Sequence, residues 1–303
     1  MTDTPQAPAL SARQPVDTRN LSAMLLLALM WGLSIPVTKL GLVTMPPLTL
    51  TAFRFAVAVP ILLALAVGKA GLPWKAVPAV AMLGIIGIGV GQVAQTYGVT
   101  GTSASVGTIL SATIPLFIVL FAAIRLRQSV SPRQLAGVGA AFAGIIVVAN
   151  AGGSAGSTTT FYGPAFMLLS ALAVAFYYVW SVELTARYGT VVVVVWSTTF
   201  GFLALLPFAG FEAYNTPFEI TATALGAAIY LGVVVTVAGL FLWLDILKRV
   251  PAPVAASVQY LQPVFGIIAS SLIFGDSMGT LFAVGVVLIL GGLALAIRQP
   301  RPV

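Results

Sequence analysis

The chain has 303 residues, 59% of them hydrophobic and 7% charged, with a formal net charge of +7. A soluble domain carries about 25% charged residues, so this composition, with a mean hydropathy of +1.07, excludes an ordinary water-soluble domain and points to a lipid bilayer. The absence of cysteine and histidine excludes disulfide and thiol chemistry, the usual zinc ligands and the commonest general base.

Residues 1–21 are polar, contain Pro5, Pro8 and Pro15, and read as a disordered cytoplasmic tail. A spanning helix needs about 20 mostly apolar residues. Ten stretches qualify, at approximately 22–43, 47–67, 75–98, 103–124, 132–150, 162–184, 190–211, 222–247, 252–274 and 279–297. Of the 14 basic residues, 12 fall before the first stretch, after the last, or in alternate loops and their edges, Lys75 and Arg133 standing at the ends of their stretches; Lys39 and Arg54 lie deeper within stretches. Because positive loops stay in the cytoplasm, this alternation places both termini there. In a soluble protein the same charge would suggest nucleic acid; here it reads as topology, and no nucleic-acid partner is expected.

The chain repeats itself at an offset of 148 positions: Pro115 meets Pro263, Phe117 meets Phe265, Gly137 meets Gly285, Gly144 meets Gly292 and Gly91 meets Gly239. Each repeat holds five spans, an odd number, so the two lie inverted in the membrane. The loop charges agree, since Arg125, Arg127 and Arg133 after span four face only Asp276 after span nine. The expected fold is an all-α polytopic membrane protein of ten transmembrane helices in two inverted five-helix repeats. The repeats occupy 22–150 and 162–297, with an extracytoplasmic linker at 151–161 and a cytoplasmic tail at 298–303. An inverted repeat supplies a pseudo-two-fold axis and a central site that can open to either side.

Trp31-Gly32 with Lys39 in span one, Arg54 between Phe53 and Phe55, Pro115-Leu116-Phe117 in span four and Pro263-Val264 in span nine together resemble the drug/metabolite transporter superfamily, EamA type. Gln128 and Asp276 stand where that family usually has a glutamate. The resemblance covers roughly residues 22–297 and implies a ten-helix export carrier of the bacterial inner membrane. The subgroup it suggests is the bacterial aromatic amino-acid exporters.

Polar groups inside a membrane are costly and suggest function. Gln259 and Gln262 share a face of span nine with Pro263, and Ser111 is the repeat partner of Gln259. Gln92 and Gln95 share a face of span three, and their repeat partners are Leu240 and Trp243. These side chains read as cavity lining or, alternatively, as hydrogen bonds between helices. Trp31 with Ser34 in span one, and Tyr177 with Trp180 in span six, read as aromatic walls, or as lipid-facing aromatics. Trp243 and Tyr260 join the candidate lining. Lys39 either binds a substrate or snorkels to the outer interface. Arg54 either binds a substrate carboxylate, closes against a helix-terminal carbonyl or pairs with an acid. Asp245, three residues before Lys248, reads as its ion-pair partner or as a coupling site. Pro115 and Pro263 are candidate hinges.

These residues point to a carrier that binds a small molecule by amides and aromatic faces. Amino acids with large side chains fit best, and drugs or other small metabolites are the alternative. A membrane-embedded enzyme would need a reactive constellation. Ser34 and Lys39, five positions apart, face different directions, and paired carboxylates are absent from the spans. A channel does not need two alternating half-gates. No cofactor or metal is expected, a monomer is compatible with the sequence, and the scarcity of acids in the spans favours passive movement or exchange.

Overall fold

A computed structural model describes residues 18–68, 71–125, 131–150, 161–249, 258–276 and 279–297. Among these residues the secondary structure is helical throughout. Seven helices are long and apolar enough to cross a membrane: α1 Thr18–Gly41, α2 Pro47–Ala66, α3 Trp74–Thr100, α4 Ala104–Arg125, α6 Tyr162–Tyr188, α7 Thr190–Asn215 and α8 Ala222–Ile246. Three shorter apolar helices accompany them: α5 Pro132–Asn150, α9 Val258–Phe274 and α10 Thr280–Ile297. Ten spans are expected from the sequence; among the described residues seven are both long and apolar enough to cross. The apolar part of α9 runs over Leu261–Phe274, 14 residues or about 21 Å at 1.5 Å per residue, against a hydrocarbon core of about 30 Å. Residues 252–257, expected to begin that span, lie outside the described residues, as do 1–17, 151–160 and 298–303 of the expected tails and linker. Helix α1 begins at Thr18, ahead of the expected 22.

The backbone departs from regular α-helix in both repeats. In α1 the helix breaks at Leu33, whose ψ is −9°, three residues before Pro36. In α4 it breaks at Ala112, ψ −5°, three residues before Pro115. Proline lacks the N–H that would close the turn and crowds the carbonyl four residues back, which accounts for both breaks. Helix α9 runs through Pro263 without interruption. Helices α3 and α8 each contain a π-helical stretch, Gly84–Val90 and Tyr230–Ala238. The two stretches end at positions related by the repeat offset of 148.

Packing interlaces the repeats. Helix α3 lies on α6 and α7, while α8 lies on α1 and α2; α4 meets α6 and α9, and α5 meets α10. On α5 and α10, Gly144 faces Gly285 and Gly137 faces Gly292. Position rises along one helix as it falls along the other, so these repeat-equivalent helices run antiparallel. Applying the offset exchanges the two contacts, which is the mark of a two-fold relation. A buried cluster built on Ile109, Leu110, Met167, Ile145 and Ile289 ties α4 and α6 to the α5–α10 pair.

Carboxylates cap two helices across the fold. Glu212 of α7 accepts from the Thr49 N–H at 2.7 Å and the Thr49 hydroxyl at 2.9 Å, at the start of α2. Asp276, just after α9, accepts from the Ser105 N–H at 2.9 Å, at the start of α4. Each satisfies a donor that the first turn leaves unpaired and sits where the helix dipole favours negative charge.

Candidate functional site

A cavity of about 230 Å³ lies at the centre of the bundle. Its walls come from α1, α2, α3, α4, α6, α7, α8 and α9. The breaks of α1 and α4, the π-helical stretches of α3 and α8, and Pro263 of α9 all border it. Irregular backbone at membrane depth is tolerated where it lines a cavity, and here the irregular segments of both repeats converge on one.

The polar lining is mostly neutral. Gln92 and Gln95 enter from α3, Gln262 from α9, Thr198 from α7, Thr108 and Ser111 from α4, and Ser34 from α1. The Ser34 hydroxyl donates to the Trp31 carbonyl at 2.6 Å, and that of Thr108 to the Ala104 carbonyl at 2.8 Å. Both lie within their own helices, so these hydroxyls offer lone pairs rather than hydrogens. Ser111 Oγ is buried with no hydrogen-bond partner among the described residues.

Trp31, Phe55 and Tyr178 supply the aromatic surface. Trp31 is fixed across the repeats: its Nε1 donates to the Val235 carbonyl at 3.1 Å. Its ring meets Trp243 at 5.9 Å between centroids. Among the described acidic and basic side chains, Arg54 lines the cavity and no carboxylate does. Arg54 Nη1 donates to Gln92 Oε1 at 2.6 Å, while Nε and Nη2 both donate to Thr236 Oγ1 at 3.1 Å.

Of the expected site residues, the fold brings Trp31, Ser34, Gln92, Gln95, Ser111, Gln262, Pro263 and Arg54 together around the cavity. Tyr177, Trp180 and Trp243 lie elsewhere. Tyr177 packs on Gly87 of α3, where a Cβ would collide with its ring, and bonds Ser197 Oγ at 3.1 Å. The face of α6 turned to the cavity is therefore that of Val174 and Tyr178, about 100° round the helix. Trp180 stacks on Phe176 at 4.6 Å with the Arg125 guanidinium 5.1 Å over its ring, beside the Arg125–Glu183 ion pair. Trp243 packs behind Trp31 with Leu27 and Ile246. The side chains of Gln259 and Tyr260 lie outside the described residues.

The expected charge partners also change. Lys39 does not snorkel freely: its ammonium donates to the Thr102 carbonyl. Asp245 pairs with Arg249 one turn on; the side chain of Lys248, its expected partner, lies outside the described residues. Among the described residues Arg54 meets neither an acid nor a helix-terminal carbonyl but an amide and a hydroxyl. Sequence reasoning missed Thr108, Thr198, Thr236 and Tyr178. A lone threonine in the apolar run of α8 was the available signal for Thr236, whereas the neighbouring Tyr177 masked Tyr178.

A helical bundle whose two repeats interlace around one polar and aromatic cavity defines a multi-pass membrane transporter. The chain belongs to the EamA-like transporter family, whose model matches residues 19–150 and again 161–298. It is a transporter rather than an enzyme. An uncharacterized transporter of Archaeoglobus fulgidus is 24% identical, over 89% of this chain and 95% of its own length. A probable terminal-alkyne amino-acid exporter of Streptantibioticus cattleyicolor is 28% identical, over 91% of this chain and 93% of its own. A probable amino-acid metabolite efflux pump of Salmonella typhimurium is 27% identical, over 89% and 91%. A protein of known crystal structure, 21% identical, shares the fold with a TM-score of 0.62 over 92% of this chain and 96% of that one.

Proposed function

We propose that this transporter exports amino acids with aromatic or large neutral side chains, or similar amphipathic metabolites, by alternating access through the central cavity. The observation that carries the reading is the cavity itself, walled by both repeats with amides, hydroxyls and three aromatic rings around one guanidinium. Two relatives of the family bear names that specify amino-acid export or efflux, which supports the substrate class. The architecture is a ten-helix carrier, with α5, α9 and α10 completing two inverted five-helix units at 22–150 and 162–297. It sits in a bacterial inner membrane with both termini in the cytoplasm, as the alternation of basic loops requires. Rocking one unit against the other exposes the site to each side in turn. Since no carboxylate among the described residues lines the cavity, movement is driven by the substrate gradient or by exchange.

The neutral character of most of the lining also suits a broader exporter of drugs or small metabolites with no amino-acid preference. Proteoliposomes loaded with labelled phenylalanine separate the two. Saturable efflux, competed by external large neutral amino acids and indifferent to a pH gradient, supports the first reading. Efflux of unrelated amphipathic drugs with none of phenylalanine sinks it in favour of the second.

A further inference from the structure

Arg54 is 8% exposed and lies among apolar helices. A guanidinium stays protonated in proteins, so this is a permanent buried cation, and a buried charge is tolerated where something neutralises it. The chain has seven acidic residues. Glu183 pairs with Arg125 and Asp245 with Arg249. Glu212 holds the start of α2, Asp276 holds the start of α4, and Glu219 is exposed beyond α7. The remaining two, Asp3 and Asp17, lie outside the described residues. No described carboxylate reaches Arg54, whose hydrogen-bond partners are neutral oxygens.

Those oxygens hold the cation in a fixed pose. The Thr236 hydroxyl gives its hydrogen to the Leu231 carbonyl at 2.8 Å, five residues back in the π-helical stretch. Its lone pairs therefore face the Nε and Nη2 donors of Arg54. Gln92, accepting through Oε1, is left with its amide N–H groups to offer. A guanidinium has five N–H donors; three are engaged, which leaves one on each terminal nitrogen. Two terminal nitrogens are the donor pair that a carboxylate binds in bidentate fashion. Phe55 lies under the guanidinium at 5.5 Å, and Trp31 and Tyr178 line the same cavity.

We infer that the ligand of this cavity is an amphipathic carboxylate whose anionic head pairs with Arg54, and that an α-ammonium is dispensable for its recognition. The inference rests on the reading of the cavity as the transport site. An incoming carboxylate supplies the missing counter-charge. An ammonium finds hydroxyl and amide oxygens but no described carboxylate, and Arg54 repels it. Amino acids are accepted through their carboxylates, and the corresponding acids without the amine bind at least as well.

The test compares matched ligands on the purified full-length protein in detergent, at fixed pH and ionic strength. Melting temperature is followed against 3-phenylpropionate, phenylalanine, 3-phenylpropionamide and phenethylamine. The two carboxylates should stabilise the protein with apparent affinities ~10-fold or more above the amide and the amine, as expected for a charge-assisted bidentate pair, and 3-phenylpropionate should match or exceed phenylalanine. Arg54→Gln should abolish that preference and Arg54→Lys should narrow it; if the glutamine variant does not fold, the wild-type series and the lysine variant decide. Equal stabilisation by amide or amine overturns the inference, as does a wider set of aryl, aliphatic and N-acyl carboxylates none of which exceeds its amide. Proteoliposome flux separates the two levels. Carboxylates that bind through Arg54 yet never cross would sink the transport-site reading and leave the anion site standing. Flux of phenethylamine without flux of any carboxylate would do the reverse.

Discussion

Gly144 of α5 and Gly285 of α10 meet with no side chain between them. A Cβ on Gly144 would lie 2.8 Å from the Gly285 carbonyl oxygen, and the exchanged contact places one on Gly292 at 2.5 Å from the Gly137 oxygen. Small residues at such crossings let helix backbones approach and gain dispersion contact. Gly144→Val is therefore expected to destabilise the fold by about 1–3 kcal/mol, the usual range for overpacking. Gly139→Ala on the same helix, where nothing lies within 4 Å, should leave stability unchanged or raise it by up to about 1 kcal/mol through helix propensity. Thermal unfolding in detergent reads both, and equal effects would rule out the close crossing.

Ser111 carries a hydroxyl whose buried oxygen has no partner among the described residues. Burying an unpaired polar group costs about 1–3 kcal/mol, so Ser111→Ala is expected to raise the melting temperature. A cost retained in one conformation implies a partner in another. The same variant should therefore slow efflux severalfold. Higher stability with unchanged flux would remove Ser111 from the transport cycle.

The two neighbouring tyrosines should separate cleanly. Tyr178 borders the cavity while Tyr177 is committed to Ser197 and Gly87. Loss of a stacking face is worth about 0.5–1.5 kcal/mol, so Tyr178→Ala should weaken aromatic ligands roughly 2–10-fold relative to aliphatic ones. Tyr177→Phe should cost stability by about 1 kcal/mol and leave selectivity alone. Trp180→Ala should also leave selectivity alone. Competition of labelled efflux by paired aromatic and aliphatic ligands checks all three, and a selectivity change in Trp180→Ala with none in Tyr178→Ala would reverse the assignment.

Lys39 and Asp276 hold the end of the bundle that the proposed orientation makes extracytoplasmic. The lysine binds the Thr102 carbonyl just before α4, and the carboxylate binds the Ser105 N–H in its first turn. Asp276→Ala removes a bond between the repeats at that end. With no native cysteine, a single cysteine at Ser34 reports cavity access without background. A membrane-impermeant maleimide added from outside should label it severalfold faster in the Asp276→Ala background. Unchanged labelling would show that this contact does not restrain outward opening.

Much of the candidate site was legible because intramembrane polar residues stand out against an apolar background. Spacing put Gln92 and Gln95, three apart, on one face and Gln262 on the face of Pro263, and the cost of burying amides marked both faces as candidate lining. Tyr177, Trp180 and Trp243 show where that reasoning stops. They are aromatic, equally at home in cavity, core or lipid, and spacing does not say which face a neighbouring helix covers. Gly87 decided it for Tyr177, and Trp31 for Trp243. Thr236 stood out as a polar residue in an apolar run, but its partner could not be read for a further reason. It serves Arg54 through a π-helical turn, which carries an extra residue and shifts the phase of everything beyond it.

By itself the sequence determined the class of protein, its membrane residence, the internal repeat and the family. Those properties are local or additive: hydropathy sums along a segment, charge accumulates loop by loop, and glycine and proline act on their own backbone. The tertiary structure alone decided which side chains share the cavity. It also turned Arg54 toward neutral oxygens instead of an acid, and committed Asp276 and Glu212 to capping helices far away in sequence. Those outcomes depend on the relative rotation of helices that touch across repeats. Two proline breaks and two π-helical stretches set that rotation, and a periodicity of 3.6 residues cannot be carried through such interruptions.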